Sequence, residues 1–192
     1  NSFKVLRPGI NTTFQDLGRD NLYHVGLPFS GAIDKRNFLI ANSLITNRED
    51  DAVLEFAYQG PLLEFSGSQT SIVITGNVNF KIIKKDTSEI KGECYRTYDL
   101  NNKDCLDIIS TEKSVYGYLS VKGGFQLDKF CNSYSTTVRA EVGPNDGKKI
   151  EIGQTIILYD ADISIKKSLE YFNSKIEFIR VIKGTNFDYF SE

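Results

Sequence analysis

Short apolar runs recur about every ten residues along the chain, and most are separated by Gly or by Asn-Asp clusters. Runs this short, alternating or continuous, are typical of strands in a β-barrel or β-sandwich. The sequence therefore predicts a mainly β fold, with strands at residues 3–6, 53–56, 62–65, 71–75, 80–83, 105–109, 116–121 and 155–159. Because Gly60-Pro61 lies between the second and third runs, we expect those two strands to form a hairpin.

One segment has the periodicity of a helix. Residues 34–46 are expected to form the main helix, with an apolar face made of Ile33, Ile40, Ala41, Leu44 and Ile45. Ser30 or Asp34 could cap its first turn, because a short side-chain oxygen accepts a hydrogen bond from a free N–H there. A weaker helical pattern covers residues 165–172.

Composition excludes several classes of function. The 192 residues carry 23 basic and 25 acidic side chains, a net charge of −2, which argues against nucleic-acid binding. The apolar runs are too short to span a membrane. Three cysteines cannot all pair, so we expect reduced thiols and a cytoplasmic location. With one histidine and no cysteine spacing of a zinc site, we expect no metal, and no phosphate-binding loop is present.

A dense cluster of polar and small residues between positions 15 and 55 holds the candidate chemistry. His24 can move protons near neutral pH, and Asp16, Asp34 and Glu55 could orient it or act as bases. Arg19 offers a planar fork for a carboxylate.

Each of these residues also has a structural interpretation. Asp16 and Arg19 could form an ion pair that fixes a loop, and Asp34 could simply cap the helix. Asn42 could be a buried hydrogen-bonding residue of the core, and His24 could be structural. Ser30 and His24 could form a nucleophile–base pair, but their spacing does not establish contact.

We expect Asp16, Arg19, His24, Ser30 and Asp34 to converge on one concave surface near the start of the helix. Gly18, Gly26 and Gly31 would let the chain reverse over short distances. The helix N-terminus would then direct N–H groups toward the same space, an arrangement that suits a carboxylate or a developing oxyanion.

Several blocks in this order resemble one known family. They read Gln-Asp-Leu-Gly-Arg at 15–19, Gly-Leu-Pro-x-Ser-Gly-Ala-Ile-Asp at 26–34, Ala-Asn-Ser-Leu-Ile at 41–45, Leu-Glu at 54–55, Tyr-Leu-Ser-Val-Lys-Gly-Gly at 118–124 and Ser-x-Ser-Thr at 133–136. The chain resembles the N-terminal part of the biotin-dependent carboxyltransferase family. That family includes the 5-oxoprolinase C subunit (also called allophanate hydrolase subunit 2), the antagonist of the sporulation-kinase inhibitor and the carboxyltransferase domain of urea carboxylase.

The resemblance implies a cyclophilin-like β-barrel, closed or nearly closed, over residues 1–172. It also implies that residues 173–192 begin a second, similar domain that is incomplete. Residues 178–184 echo residues 3–9, since each is an apolar strand followed by a basic residue and Gly.

The resemblance further implies a subunit of an ATP-dependent 5-oxoprolinase-type complex, which opens the lactam of 5-oxoproline to give glutamate. The expected partners are a B-like subunit, similar to the kinase inhibitor, and an A-like subunit. The chain itself would bind no cofactor, since ATP is used by the complex, and alone we expect it to be inactive. Two alternatives stay open, a non-catalytic regulatory protein that binds a kinase-inhibitor-like partner, and a carboxyltransferase that moves CO2 to an amide such as urea from carboxybiotin on another chain.

The matching blocks supply the candidate site residues. Those expected to be catalytic are Asp16, His24, Ser30 and Asp34; those expected to bind substrate are Arg19, Asn42, Glu55, Ser133, Ser135 and Thr136. The chain departs from the family where Tyr116 and Tyr134 replace arginines. Because tyrosine cannot replace a bidentate fork, anion binding at those two positions is weakened.

Overall fold

The computed structural model describes residues 1–163, 165–170 and 182–184. One α-helix and eleven strands lie in this part of the chain. In chain order they are β1 (Ser2–Arg7), β2 (Thr13–Gln15), α1 (Lys35–Leu44), β3 (Val53–Ala57), β4 (Leu62–Ser66), β5 (Gln69–Gly76), β6 (Val78–Ile83), β7 (Glu89–Lys91), β8 (Thr97–Asn101), β9 (Cys105–Thr111), β10 (Tyr116–Val121) and β11 (Thr155–Ile157). Short 3₁₀ turns lie at Tyr23–Val25, Val138–Ala140 and Asn145–Gly147. Within the described ranges, no helix is long and apolar enough to cross a membrane.

Two antiparallel sheets enclose the core. One has six strands in the order β11-β1-β4-β9-β6-β7, and the other has five in the order β2-β3-β10-β5-β8. Their facing sides bury a large apolar cluster that includes Phe3, Phe56, Phe65, Phe80 and Leu119. The two ladders do not join among the described residues, and unclosed sheets of this kind fit the predicted cyclophilin-like fold.

Helix α1 covers the outer face of the five-stranded sheet. Phe38 packs against Val53 and Tyr118, and Ala41 and Ile45 pack against Val73. Both faces of β3 and β5 are therefore buried, which explains why these strands are almost continuously apolar in sequence. By contrast, β6 alternates buried and half-buried residues because its outer face is uncovered.

The eight strands predicted between residues 3 and 159 are all present, with small differences at their ends. The predicted hairpin is wrong, because β3 pairs with β2 and β10 while β4 pairs with β1 and β9. The turn at Gly60-Pro61 instead carries the chain from one sheet to the other. A Cβ on Gly60 would lie 2.4 Å from Ile108, so this crossing needs glycine at that point.

The main helix is confirmed, but its apolar face was partly mispredicted. Asp34 is the N-cap and accepts a hydrogen bond from the backbone N–H of Asn37 at 3.0 Å. Ile33 precedes the helix and is 65% exposed, whereas Phe38, which was not assigned to the face, is fully buried.

The weaker helix prediction is wrong over residues 165–170, which are not helical. The segment lies beside β8 instead: the N–H of Thr97 donates to the carbonyl of Lys167 at 3.0 Å, and that of Leu169 to the carbonyl of Tyr95 at 2.9 Å. Residues 171–172 and the predicted strand at 178–181 lie outside the described residues, as does nearly all of the predicted second domain.

Candidate functional site

A cleft of about 310 Å³ opens on the outer face of the five-stranded sheet, beyond the start of α1. Strand register explains why polar residues meet there. Glu55 of β3 lies between Thr13 of β2 and Tyr118 of β10. Residues directly opposite on neighbouring strands share a face, and Val53, two positions before Glu55, packs on the helix side. The row Thr13–Glu55–Tyr118 therefore faces away from the main core.

The cleft is completed by the loop before α1 and by the segment around the second 3₁₀ turn. Its lining residues are Asn11, Thr13, Gln15, Ser30, Gly31, Ile33, Glu55, Tyr116, Thr136, Thr137, Val138 and Arg139. Among these lining residues Glu55 is the one carboxylate and Arg139 the one cation.

Glu55 is held on one oxygen and open on the other. Its Oε2 accepts hydrogen bonds from the backbone N–H of Ile33 at 2.8 Å and from the hydroxyl of Tyr118 at 2.9 Å. The Tyr118 hydroxyl in turn accepts from the backbone N–H of Asp34 at 2.7 Å. No described residue donates a hydrogen bond to Oε1. One carboxylate oxygen of a side chain that is only 6% exposed is thus left for the cleft.

The surroundings of Glu55 and Tyr118 disfavour the charged form of each side chain. Burial raises the pKa of Glu55, the two hydrogen bonds oppose this, and the charge of Asp34 adds to the increase. Burial, followed by the charge of Glu55, also raises the pKa of Tyr118, so its hydroxyl stays protonated and donates. A carboxylate with a raised pKa holds a transferred proton more readily than an ordinary glutamate does.

Asp16 has the opposite arrangement. Its Oδ1 accepts hydrogen bonds from the hydroxyls of Ser133 at 2.7 Å and Ser135 at 2.5 Å and from the N–H of Gly18 at 2.8 Å. Its Oδ2 accepts from the N–H of Tyr134 at 2.6 Å. With four donors and 4% exposure, Asp16 anchors residues 133–135 beneath the cleft.

Arg19 is also an internal support. It is 2% exposed, and its guanidinium donates to the hydroxyl of Thr137 at 3.0 Å and to the carbonyl of Ser135. The hydroxyl of Ser30 bonds the same Thr137 hydroxyl. These contacts fix the wall formed by residues 135–137, so Arg19 is not exposed to clamp a ligand.

The loop of residues 16–32 folds back on itself as expected. The N–H of Ala32 donates to the carbonyl of Asp16 at 2.9 Å, and the N–H of Arg19 to the carbonyl of Phe29 at 2.8 Å. Gly31 has φ +90°, and a Cβ there would lie 2.9 Å from the backbone of Leu17, so glycine is required where the two arms of the loop touch.

Of the five residues expected to converge on one concave surface, the structure places one in the lining of this cleft and the other four outside it. Ser30 lines the cleft, while Asp16 and Arg19 lie behind its wall. His24 is exposed in the first 3₁₀ turn and is not among the lining residues. The carboxylate of Asp34 is directed at Asn37, whose side-chain amide donates to it at 2.6 Å in addition to the backbone bond.

The predicted substrate-binding residues also divide. Glu55 and Thr136 line the cleft, but Ser133 and Ser135 are fully buried against Asp16. Asn42 is buried between the helix and the sheet, where it donates to the carbonyl of Asp51 at 2.8 Å and accepts from the hydroxyl of Ser120 at 2.7 Å. It is a core residue, the interpretation left open from the sequence.

Sequence reasoning missed three residues of this region. Tyr118 was seen as part of a strand and of a family block but not as a site residue, because its contact with Glu55 spans 63 positions and depends on register. Arg139 could have been found, since it lies three residues after the Ser-x-Ser-Thr block. Gln15 was noted in the cluster but not as part of a site; its amide donates to the carbonyl of Thr136 at 2.9 Å and to the hydroxyl of Thr13 at 3.0 Å.

Comparisons with known proteins agree with this fold and these motifs. The family model described as "Carboxyltransferase domain, subdomain A and B" matches residues 25–192. Urea amidolyase of Saccharomyces cerevisiae is 28% identical over 158 residues, which cover 82% of this chain and 8% of that protein. The 5-oxoprolinase C subunit of Haemophilus influenzae is 31% identical over 144 residues, which cover 75% of this chain and 45% of that protein.

A solved structure gives the same result in three dimensions. Urea carboxylase of Kluyveromyces lactis superposes with a TM-score of 0.77 at 27% identity, covering 87% of this chain and 15% of that chain. The chain therefore belongs to the carboxyltransferase domain, subdomain A and B family. It spans about half the length of its 5-oxoprolinase relatives and less than a tenth of the urea amidolyases.

Proposed function

We propose that this chain is a subunit of an ATP-dependent 5-oxoprolinase-type complex, which hydrolyses the lactam of 5-oxoproline to glutamate. The observation that carries the proposal is the buried carboxylate of Glu55, which keeps Oε1 open to a cleft on the outer face of the sheet. The similarity to the 5-oxoprolinase C subunits supports the choice of substrate.

The cleft offers groups that complement a cyclic amide with a carboxylate. The lactam N–H needs an acceptor, which Oε1 of Glu55 supplies. The lactam oxygen and the carboxylate need donors. The opposite wall can supply the one hydroxyl of the bonded Ser30–Thr137 pair that does not donate to the other, and the guanidinium of Arg139. The apolar side chains of Ile33 and Val138 lie at the rim and would cover the ring methylenes.

The complex would supply what this chain does not. We propose that a B-like subunit, similar to the kinase inhibitor, assembles with it together with an A-like subunit, and that ATP is bound by a partner. A cytoplasmic location stays a prediction.

Carboxyl transfer to an amide such as urea is the second candidate, favoured by the urea amidolyase relatives. In that case biotin would arrive on another chain and an amide N–H would again need an acceptor. The same cleft would serve, with a different electrophile.

The test is reconstitution. The protein is mixed with its B-like and A-like partners, 5-oxoproline and ATP, and glutamate is measured. Release of glutamate that depends on every component supports the proposal. A parallel reaction with urea and carboxybiotin identifies the second candidate, and partner binding without either activity would identify a regulatory protein.

A further inference from the structure

The cleft contains one group placed to exchange a proton with a ligand. The carboxylates of Asp16 and Asp34 are engaged by structural donors, and His24 does not line the cleft. Tyr116 lines it too, but a phenol is a poor base near neutral pH. Glu55 is therefore the acid–base group that the geometry leaves.

We propose that Glu55 transfers the proton of the substrate's amide nitrogen, and that Tyr118 is the residue that positions it. This inference rests on the proposed function and names the residues that carry it out. It assigns to Glu55 the acid–base role for which the sequence had offered His24, Asp16, Asp34 and Glu55 as candidates.

The proton balance of the step is simple. The lactam N–H bond breaks as the O–H bond of the Glu55 carboxyl forms at Oε1. The electron pair released at nitrogen moves into the C–N bond, and negative charge collects on the amide oxygen. That oxygen then attacks the terminal phosphoryl group of ATP held by a partner protein, and ADP leaves. Water then adds across the C=N bond of the phosphorylated imidate, its hydroxyl going to the carbon and its other proton to the nitrogen. The ring C–N bond breaks as that hydroxyl becomes the carbonyl of an acyl phosphate, and the leaving nitrogen takes one proton back from Glu55 and one from the hydroxyl. A second water hydrolyses the acyl phosphate to the side-chain carboxylate of glutamate and phosphate.

Tyr118 controls which oxygen faces the ligand. It donates to Oε2, the oxygen also bound by the N–H of Ile33, and is itself held by the N–H of Asp34. Two donors to Oε2, one of them fixed in turn by the N–H of Asp34, thus orient the carboxylate so that Oε1 is the one left open. The hydroxyl does not reach the cleft from this position, so its role is indirect.

The groups around Glu55 set how its protonation affects the rate. Thr13 and Gln15 lie on the β2 side of Glu55, and Tyr116 and Tyr118 lie on the β10 side. The helix start contributes the charge of Asp34, and the far wall contributes Arg139. Loss of the Tyr118 hydroxyl removes a bond that favours the charged carboxylate. The carboxylate would then hold its proton at higher pH.

The experiment compares Glu55→Gln and Tyr118→Phe in the reconstituted full-length complex, with Glu49→Gln and Tyr159→Phe as exposed controls. Glu55→Gln should lower kcat at least ~100-fold, with a much smaller change in KM. Tyr118→Phe should lower kcat roughly 10-fold and move the acid limb of the kcat pH profile to higher pH. Both controls should behave as the wild type.

The outcomes are distinguishable. If the wild-type complex releases no glutamate, the proposed function fails and this inference falls with it. If the wild type is active and the Glu55→Gln variant folds but keeps a wild-type kcat, only the inference is overturned. If Tyr118→Phe loses activity equally at every pH, the positioning role is overturned while the role of Glu55 stands. Circular dichroism and thermal melts establish folding for each variant.

Discussion

Asp16 and Glu55 are two buried carboxylates, one behind the cleft wall and one lining the cleft, and their surroundings differ. Asp16 accepts four hydrogen bonds on two oxygens, from residues 18 and 133–135. Glu55 accepts two, both on Oε2. A carboxylate whose two oxygens both accept hydrogen bonds joins segments of the chain, whereas a carboxylate with one open oxygen can bind a ligand. In this region the number of hydrogen bonds that a carboxylate accepts, more than its burial or residue type, distinguishes structural residues from candidate catalytic ones.

The largest effect is expected at Asp16. Asp16→Ala leaves two buried hydroxyls and two backbone N–H groups without their acceptor, which should cost about 3–4 kcal/mol of unfolding free energy. Urea denaturation measures this. The exposed neighbour Asp20 provides the control, since Asp20→Ala should change stability by less than about 0.5 kcal/mol. A stable Asp16→Ala protein without activity would reverse the assignment and return Asp16 to catalysis.

A smaller effect is expected at Asp34. Asp34→Ala removes the cap of α1 and should cost about 1 kcal/mol, while Asp34→Asn keeps a capping oxygen and should be nearly neutral. The same Asp34→Asn change removes a negative charge that raises the pKa of Glu55. In the active complex it should therefore move the acid limb of the kcat profile to lower pH, opposite to Tyr118→Phe. An unmoved limb would mean that Asp34 and Glu55 are not coupled.

The smallest effect concerns the stability cost of Glu55 itself. Burial raises its pKa in the folded protein above the unfolded value, so the charged carboxylate costs stability at pH values above both. Below the unfolded pKa both states hold the proton and the cost disappears. Glu55→Gln, which keeps the acceptor for Ile33 and Tyr118, should therefore raise Tm by a few degrees at pH 7.5 and by less near pH 4. A lower Tm at pH 7.5 would show that the carboxylate supports the fold as Asp16 does.

Local patterns predicted the elements well. Strand β6 and helix α1 follow from spacing, and the Asp34 cap follows from residue type. Pairings between elements were not predictable, because they depend on residues far apart in sequence. The failed hairpin shows this: two runs joined by a turn went to different sheets, since each found a better partner elsewhere.

The sequence predicted the region of the chain that holds the site, but not the set of residues that form it. Residues 15–55 supply five of the twelve lining residues, among them Glu55, but the sequence did not single out Glu55 among their carboxylates, for a physical reason. Nothing near Asp16 in sequence reveals the three donors at residues 133–135, and nothing near Glu55 reveals Tyr118. The number of donors around a side chain is set by tertiary contacts.

The same long separations govern when the cleft can form. The bond from Ser133 to Asp16 spans 117 positions and that from Gln15 to Thr136 spans 121. As the chain leaves the ribosome, the polar loop is therefore made long before the segment that completes it. Contacts of such high sequence separation form slowly, because the entropy of closing the loop is lost before the contact is gained. The scaffold carboxylate of Asp16 should thus stay hydrated through much of folding, and the cleft should be among the last features to mature.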